Sequence, residues 1–184
     1  IELLTEAGYQ RVGFDHFALP DDPLAKAVAN QSLHRNFQGF TVQRGGPLLA
    51  CGVTGISDTG GAYWQNLTDI DAWKESIDSG ILPIARGLKL SGDDTIRRHL
   101  INRLMCDSVV NFKDMEERFG IDFPSFFSYE LDKLQDPAAQ RLAQVDMQAG
   151  TLSPTPIGFE LIRNVCMIFD PNLRGKEPSG STTI

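Results

Sequence analysis

Residues His34–Gly46 read HRNFQGFTVQRGG, a short polar run that combines arginines, side-chain amides, two phenylalanines and three glycines. Such a run either shapes a loop around a ligand or decorates a turn between two strands. As a ligand loop, Arg35 offers a planar fork to a carboxylate. Gln38 offers a donor and an acceptor, and Phe37 a face for a planar group. As a plain turn, Phe37 and Phe40 enter a core while Arg35 and Gln38 tie down backbone.

The flanks of this run set its context. Upstream, YQRVGFDHFALP has strand character and ends in a turn at Pro20 and the acidic pair Asp21–Asp22. The stretch DPLAKAVANQSLHRNF then reads as one short helix. At the start, Ile1, Leu3, Leu4 and Ala7 have helical spacing and Gly8 suits a helix end. A chain that opens inside an amphipathic helix, with no methionine before Met105, is expected to be a piece of a longer one. Downstream, FTVQRGGPLLACGVTGIS suggests two strands about a Gly-Gly-Pro turn. Gly52, Gly55, Gly60 and Gly61 allow close backbone approach there. Residues 62–80, AYWQNLTDIDAWKESIDSG, predict a strand and then a helix capped by Thr68, with Ile70, Trp73 and Ile77 as its apolar stripe.

The character changes at ILPIARGLKLSGDD, and a boundary is expected near Ser91. The segments are 1–90, rich in strands, and 91–184, mostly helical, so the fold class is α+β. In SGDDTIRRHLINRLMCDS, Ile96, Leu100, Ile101, Leu104 and Met105 share a face, with acids at the start and Arg103 later. Asn111 caps a short helix that Gly120 stops. DFPSFFSYELDKLQ begins another helix, LAQVDMQAGTLSPT forms a small hairpin, and Thr155 with Pro156 starts a last helix that Pro171 stops. Three helices, a hairpin and a helix suggest a winged-helix-like module. A DNA-reading helix is basic, whereas KDMEERFGID is acidic on balance. The net charge of −7 over 184 residues also argues against coating nucleic acid or an anionic membrane.

No run approaches the roughly 20 apolar residues of a membrane helix. Cys51, Cys106 and Cys166 are too far apart for a zinc or iron–sulfur pattern, and buried free thiols are the expectation. His16, His34 and His99 have no neighbouring nucleophile signature. The glycine run lacks the lysine of a phosphate loop and the spacing of a dinucleotide fingerprint. Adjacent on a helix, Arg97 and Arg98 diverge by about 100°, which makes a solvated face the expectation for both. The residues alone describe an α+β chain with one unusual loop.

A set of short motifs goes further. HRNFQGF, GFDHFALPDDPLA, GVTGIS, YWQN and LIRNVCMIFDP occur in one order along the chain. Together they resemble the C-terminal part of the oxygen-independent coproporphyrinogen III oxidases, which are radical S-adenosylmethionine (SAM) enzymes. The resemblance implies an upstream partial barrel whose C-x3-C-x2-C motif holds a 4Fe–4S cluster and one SAM. It implies that a 5′-deoxyadenosyl radical takes hydrogen from a propionate side chain, which loses carbon dioxide and one electron to become vinyl. Two such events turn coproporphyrinogen III into protoporphyrinogen IX. On this reading residues 1–90 complete the SAM-binding barrel, and the chain alone is inactive because its cysteines cannot replace the cluster ligands.

By matched motif, the resemblance assigns Phe37, Gln38 and Ile56 to the SAM region and leaves His34 and Arg35 as support. The expected partners are coproporphyrinogen III and the upstream barrel, without nucleic acid or a membrane span, in a cytoplasmic monomer. Gly55 stands where alanine is expected, Phe40 where tyrosine is usual, and Asn172 where tyrosine is expected. Haem-chaperone relatives are expected to lack HRNFQGF. A free-standing winged-helix module is the other alternative.

Overall fold

A computed structural model describes residues 1–43 and 46–174. Arg44 and Gly45, the latter part of the expected Gly-Gly-Pro turn, lie outside the described residues. Packing divides the chain into two compact units. One contains Ile1–Arg35, Phe40–Val42 and the chain from Ile96 on, and the other Asn36–Gly39 and Gln43–Thr95. A single cut between residues 90 and 91 therefore does not describe the packing. The N-terminal 35 residues group with the helical half because Val12, Ala18, Ala25, Ala27, Leu33 and Phe40 form one buried cluster with Cys106.

In the N-terminal stretch, α1 (Glu2–Glu6) is followed by the antiparallel pair β1 (Gln10–Val12) and β2 (His16–Ala18). The Asp22 carboxylate accepts from Leu24 N–H and starts α2 (Pro23–Ala29). The helix does not continue to Phe37. Gln31 takes a positive φ of 52°, and the chain then forms the hairpin β3 (His34–Asn36) and β4 (Gly39–Thr41).

The second unit holds the antiparallel sheet β5 (Ile56–Asp58), β6 (Ala62–Asn66) and β7 (Ile84–Lys89), with β6 in the middle. Between β6 and β7 runs α3 (Ile70–Asp78), whose cap is Asp69 rather than Thr68; the Asp69 carboxylate accepts from Ala72 N–H. The helix begins one residue later than expected, and a cap reaches the second or third N–H of its helix, so the Ala72 N–H falls to residue 69. The expected stripe is not buried: Ile70 is 65% and Ile77 46% exposed.

The remaining elements build the main core. They are α4 (Gly92–Asp107), β8 (Val110–Asn111), α5 (Phe112–Phe119), α6 (Phe123–Phe126), α7 (Ser128–Lys133), α8 (Pro137–Gln140), β9 (Ala143–Asp146), β10 (Thr151–Pro154), α9 (Pro156–Glu160) and α10 (Ile162–Ile168). β10 is the centre of an antiparallel sheet ordered β8-β10-β9. Leu100, Leu104 and Met105 of α4 enter the core as the spacing requires, with Ile96 and Ile101 packed against it. Asn111 caps α5 through Lys113 and Asp114 N–H, and Gly120 ends it at φ 66°. The expected single helix from Asp122 breaks at Phe127 into α6 and α7. Thr155 accepts from Gly158 N–H to start α9.

Arg97 is the clearest departure in this half. It is 6% exposed rather than solvated. One guanidinium nitrogen lies 2.6 Å from the carboxylate of Glu130, which is wholly buried. Arg174 also donates to that carboxylate. A buried acid has to be paired, and Glu130 lies too far along the chain for the Arg97–Arg98 doublet to have announced it.

Candidate functional site

The antiparallel register aligns side chains across the three strands of the β5-β6-β7 sheet. Ile56 pairs with Gln65, and Gln65 with Arg86. Tyr63 pairs with Asp58 on one side and Leu88 on the other. Residues opposite one another, and those two positions along, share a face. One face therefore carries Ile56, Gln65 and Arg86 in one row and Asp58, Tyr63 and Leu88 in the next. On it lies a cavity of about 200 Å³ lined by Ile56, Tyr63, Trp64, Gln65, Arg86, Gly87 and Leu88.

Phe37 reaches this face from the hairpin tip. Its ring meets Tyr63 edge-on, with centroids 5.3 Å apart, and more than half of its surface stays exposed. Two of the three residues assigned to one site from the sequence, Phe37 and Ile56, are thus brought together through Tyr63. Gln38 is exposed beside Phe37, and its N–H donates to Asn36 Oδ1 as part of the turn. The rest of HRNFQGF does what a structural turn does. Phe40 is buried, and the Arg35 guanidinium lies 5.8 Å from the rings of both Phe14 and Phe40. The turn reading, which sends both rings into a core, holds for Phe40 but not for Phe37, which lies on an open surface.

Hydrogen bonds set the floor of the sheet. Asn66 Nδ2 donates to the carbonyls of Gly52 at 2.8 Å and Ala50 at 3.3 Å, and Asn66 N–H donates to Gly55 O. Ala50 N–H donates to the buried Ser57 hydroxyl. Here Gly55 has a physical reason. A methyl group on it would stand 3.0 Å from Ala50 Cβ and 3.3 Å from the carbonyl oxygens of Cys51 and Gly52.

Three side chains of the site, Tyr63, Gln65 and Arg86, were not singled out from the sequence as ligand groups. YWQN contains two of them, but its strand alternation does not tell a site from a sheet face. Arg86 gave no signal, because cross-strand register is not legible within one strand. A larger hollow of about 560 Å³ lies in the helical unit, with Tyr129, Lys133, Asn164 and Arg174 in its lining. Its Arg174 is engaged by Glu130 and sits 4.3 Å over the Tyr129 ring, which suits a structural role.

The three cysteines lie in different surroundings. Cys51 is exposed, against the expectation of a buried thiol, while Cys106 and Cys166 are buried. Burial pushes the Cys106 thiol up to about 11 and the Cys166 thiol up to about 12. Thiolate, the form that binds iron, is disfavoured at both. Among the described residues no group of three His, Cys, Asp or Glu side chains is arranged to hold a metal ion, and no helix is long and apolar enough to cross a membrane.

No protein-family model matches the chain. An oxygen-independent coproporphyrinogen III oxidase of Pseudomonas aeruginosa is 43% identical over 92% of this chain and 36% of its own length. One of Helicobacter pylori is 37% identical over the whole of this chain and 40% of its own. The chain is homologous to the oxygen-independent coproporphyrinogen III oxidases. A solved coproporphyrinogen III oxidase of Escherichia coli, described as a radical SAM enzyme, superposes with a TM-score of 0.87 at 39% identity. That likeness takes in 94% of this chain and 39% of the solved one. The chain thus spans about two fifths of the length of these oxidases and matches their C-terminal part, in a mixed helix-and-strand fold.

Proposed function

We propose that the chain is the C-terminal part of an enzyme that oxidatively decarboxylates coproporphyrinogen III to protoporphyrinogen IX by radical SAM chemistry. One observation carries the reading. Of the residues assigned to SAM by their motifs, Ile56 lines the sheet cavity together with Tyr63, and Phe37 packs edge-on against Tyr63, in a chain about 40% identical to such oxidases. A cluster held by residues outside the matched span would supply one-electron cleavage of bound SAM. With two buried, high-pKa thiols and one exposed one, this chain's own cysteines are unsuited to hold it.

The chain's contribution is position and exclusion of water. Ile56 presents an apolar side chain and strand backbone to an adenosine. Phe37 and Tyr63 wall the same face with two rings set edge to face, and Gln38 offers its amide beside them. The sheet unit between Gln43 and Thr95 completes the upstream barrel, and the segment from α4 on is winged-helix-like, supported by the order of α4, α5, α6 and the hairpin β9–β10. The whole enzyme acts as a cytoplasmic monomer on its porphyrinogen, and the isolated chain is inactive and binds SAM more weakly than micromolar.

Replacing the matching span of the Escherichia coli enzyme by this chain tests the reading. The chimera is expected to release carbon dioxide from coproporphyrinogen III anaerobically. Ile56→Asp in it is expected to lower the rate about tenfold or more, the scale of a buried unpaired charge. A chimera that folds and carries its cluster but leaves coproporphyrinogen III untouched overturns the proposal.

A further inference from the structure

The β5-β6-β7 face carries a cation whose direction is set by its neighbour. Gln65 Oε1 accepts from Arg86 Nε at 2.9 Å and from Arg86 Nη2 at 2.7 Å, and Gln65 Nε2 donates to Thr54 O at 3.2 Å. This chain of bonds runs from loop backbone through Gln65 to the guanidinium. It fixes one edge of Arg86 and leaves Nη1 without a partner among the described residues. Around it lie Ile56, Tyr63 and Leu88. The one carboxylate in the two rows, Asp58, accepts from Gly60 N–H of its own turn.

An arginine tied by an amide rather than an acid keeps its full charge available. Held by a carboxylate, as Arg97 and Arg174 are by Glu130, it would already be neutralised. Gln65 therefore orients the guanidinium without cancelling its charge. An apolar and aromatic cavity with one oriented cation at its edge suits an amphiphilic ligand bearing a carboxylate.

We propose that Arg86, oriented by Gln65, binds the carboxylate of the ligand that occupies the cavity beside Ile56. This rests on the reading of that face as a ligand site. Two carboxylates meet the description, the amino-acid end of SAM and a propionate of the porphyrinogen, and the chemistry Arg86 recognises is the same for both.

Backbone and arginine side-chain NMR of the chain, titrated to millimolar ligand, tests the assignment. The probes are SAM, its decarboxylated analogue, coproporphyrin III and the tetramethyl ester of coproporphyrin III. In the wild type, the carboxylate form of one pair is expected to shift Arg86 Nε–H together with the Ile56 and Tyr63 signals. Arg86→Gln is expected to weaken that form roughly tenfold or more, the scale of a hydrogen bond to a charged group. The form lacking the carboxylate is expected to bind both proteins alike, and Arg86→Lys to recover part of the loss. Gln65→Leu, which frees the guanidinium without removing it, is expected to fall between wild type and Arg86→Gln.

Dependence confined to the SAM pair assigns the amino-acid end, and dependence confined to the porphyrin pair assigns a propionate. Shifts at Ile56 and Tyr63 that are unchanged in Arg86→Gln overturn the role of Arg86 and leave the ligand face standing. No shift at Ile56 or Tyr63 with any probe overturns both.

Discussion

From Ile96 on, the rings of Phe112 and Phe123 stack at 4.0 Å, Phe127 adjoins Phe123 at 4.7 Å, and Phe169 meets Phe127 at 5.8 Å, all buried. Between Gln43 and Thr95, the buried side chains among the described residues are Ser57, Asn66 and Pro83. Every residue of β7 is exposed, and Leu49, Ile70, Ile81 and Leu82 are each more than half exposed. The helical unit is held by apolar burial. The sheet unit is held by its ladder and by Asn66, with its apolar side chains facing outward. A region that leaves such side chains uncovered is built to lie against something else, consistent with a chain spanning two fifths of its relatives' length.

The largest test of that contrast is Phe123→Ala. It removes the ring at the middle of the stack and is expected to cost about 3–5 kcal/mol in urea denaturation. Asn66→Ala strikes the sheet unit instead. It deletes two donors to loop carbonyls, with an expected cost of about 1–3 kcal/mol. Hydrogen exchange should then accelerate over residues 48–67 while α4 and α10 keep their protection. If Asn66→Ala cost more than Phe123→Ala, or released both units together, the contrast would be wrong.

A smaller effect sharpens the contrast from the helical side. Burial, then the charges of Arg118 and Arg103, lower the pKa of His99 from 6.5 to about 4, and its ring lies edge-on to Phe119 at 5.3 Å. Between about pH 4 and 6.5 the unfolded chain binds a proton at His99 that the folded chain does not. Stability therefore falls as pH drops through that window. His99→Gln is expected to flatten the slope of stability against pH there, and an unchanged slope would mean that His99 is accessible to protonation in the fold.

The comparison also explains what could be read in advance. Helix faces repeat within one segment, so Leu100, Leu104 and Met105 were legible as core, as were caps formed by a residue's own neighbours, such as Asn111 and Thr155. Arg97 was misread because its partner Glu130 lies 33 residues away. Cys51 was misread because a small apolar side chain reads as buried wherever it falls.

By itself the sequence determined the α+β class, the spacing that builds α4 and α5, the β9–β10 hairpin, and, through ordered motifs, the kinship. These depend on interactions a few residues apart or on motif order, both carried by the linear chain. Tertiary structure alone decided that the first 35 residues join the helical unit, that Phe37 stays outside while Phe40 goes in, and that Ile56, Gln65 and Arg86 stand in one row. Strand register and burial are settled by partners distant in sequence, because the free energy of a contact depends on which surfaces meet and not on where they lie along the chain.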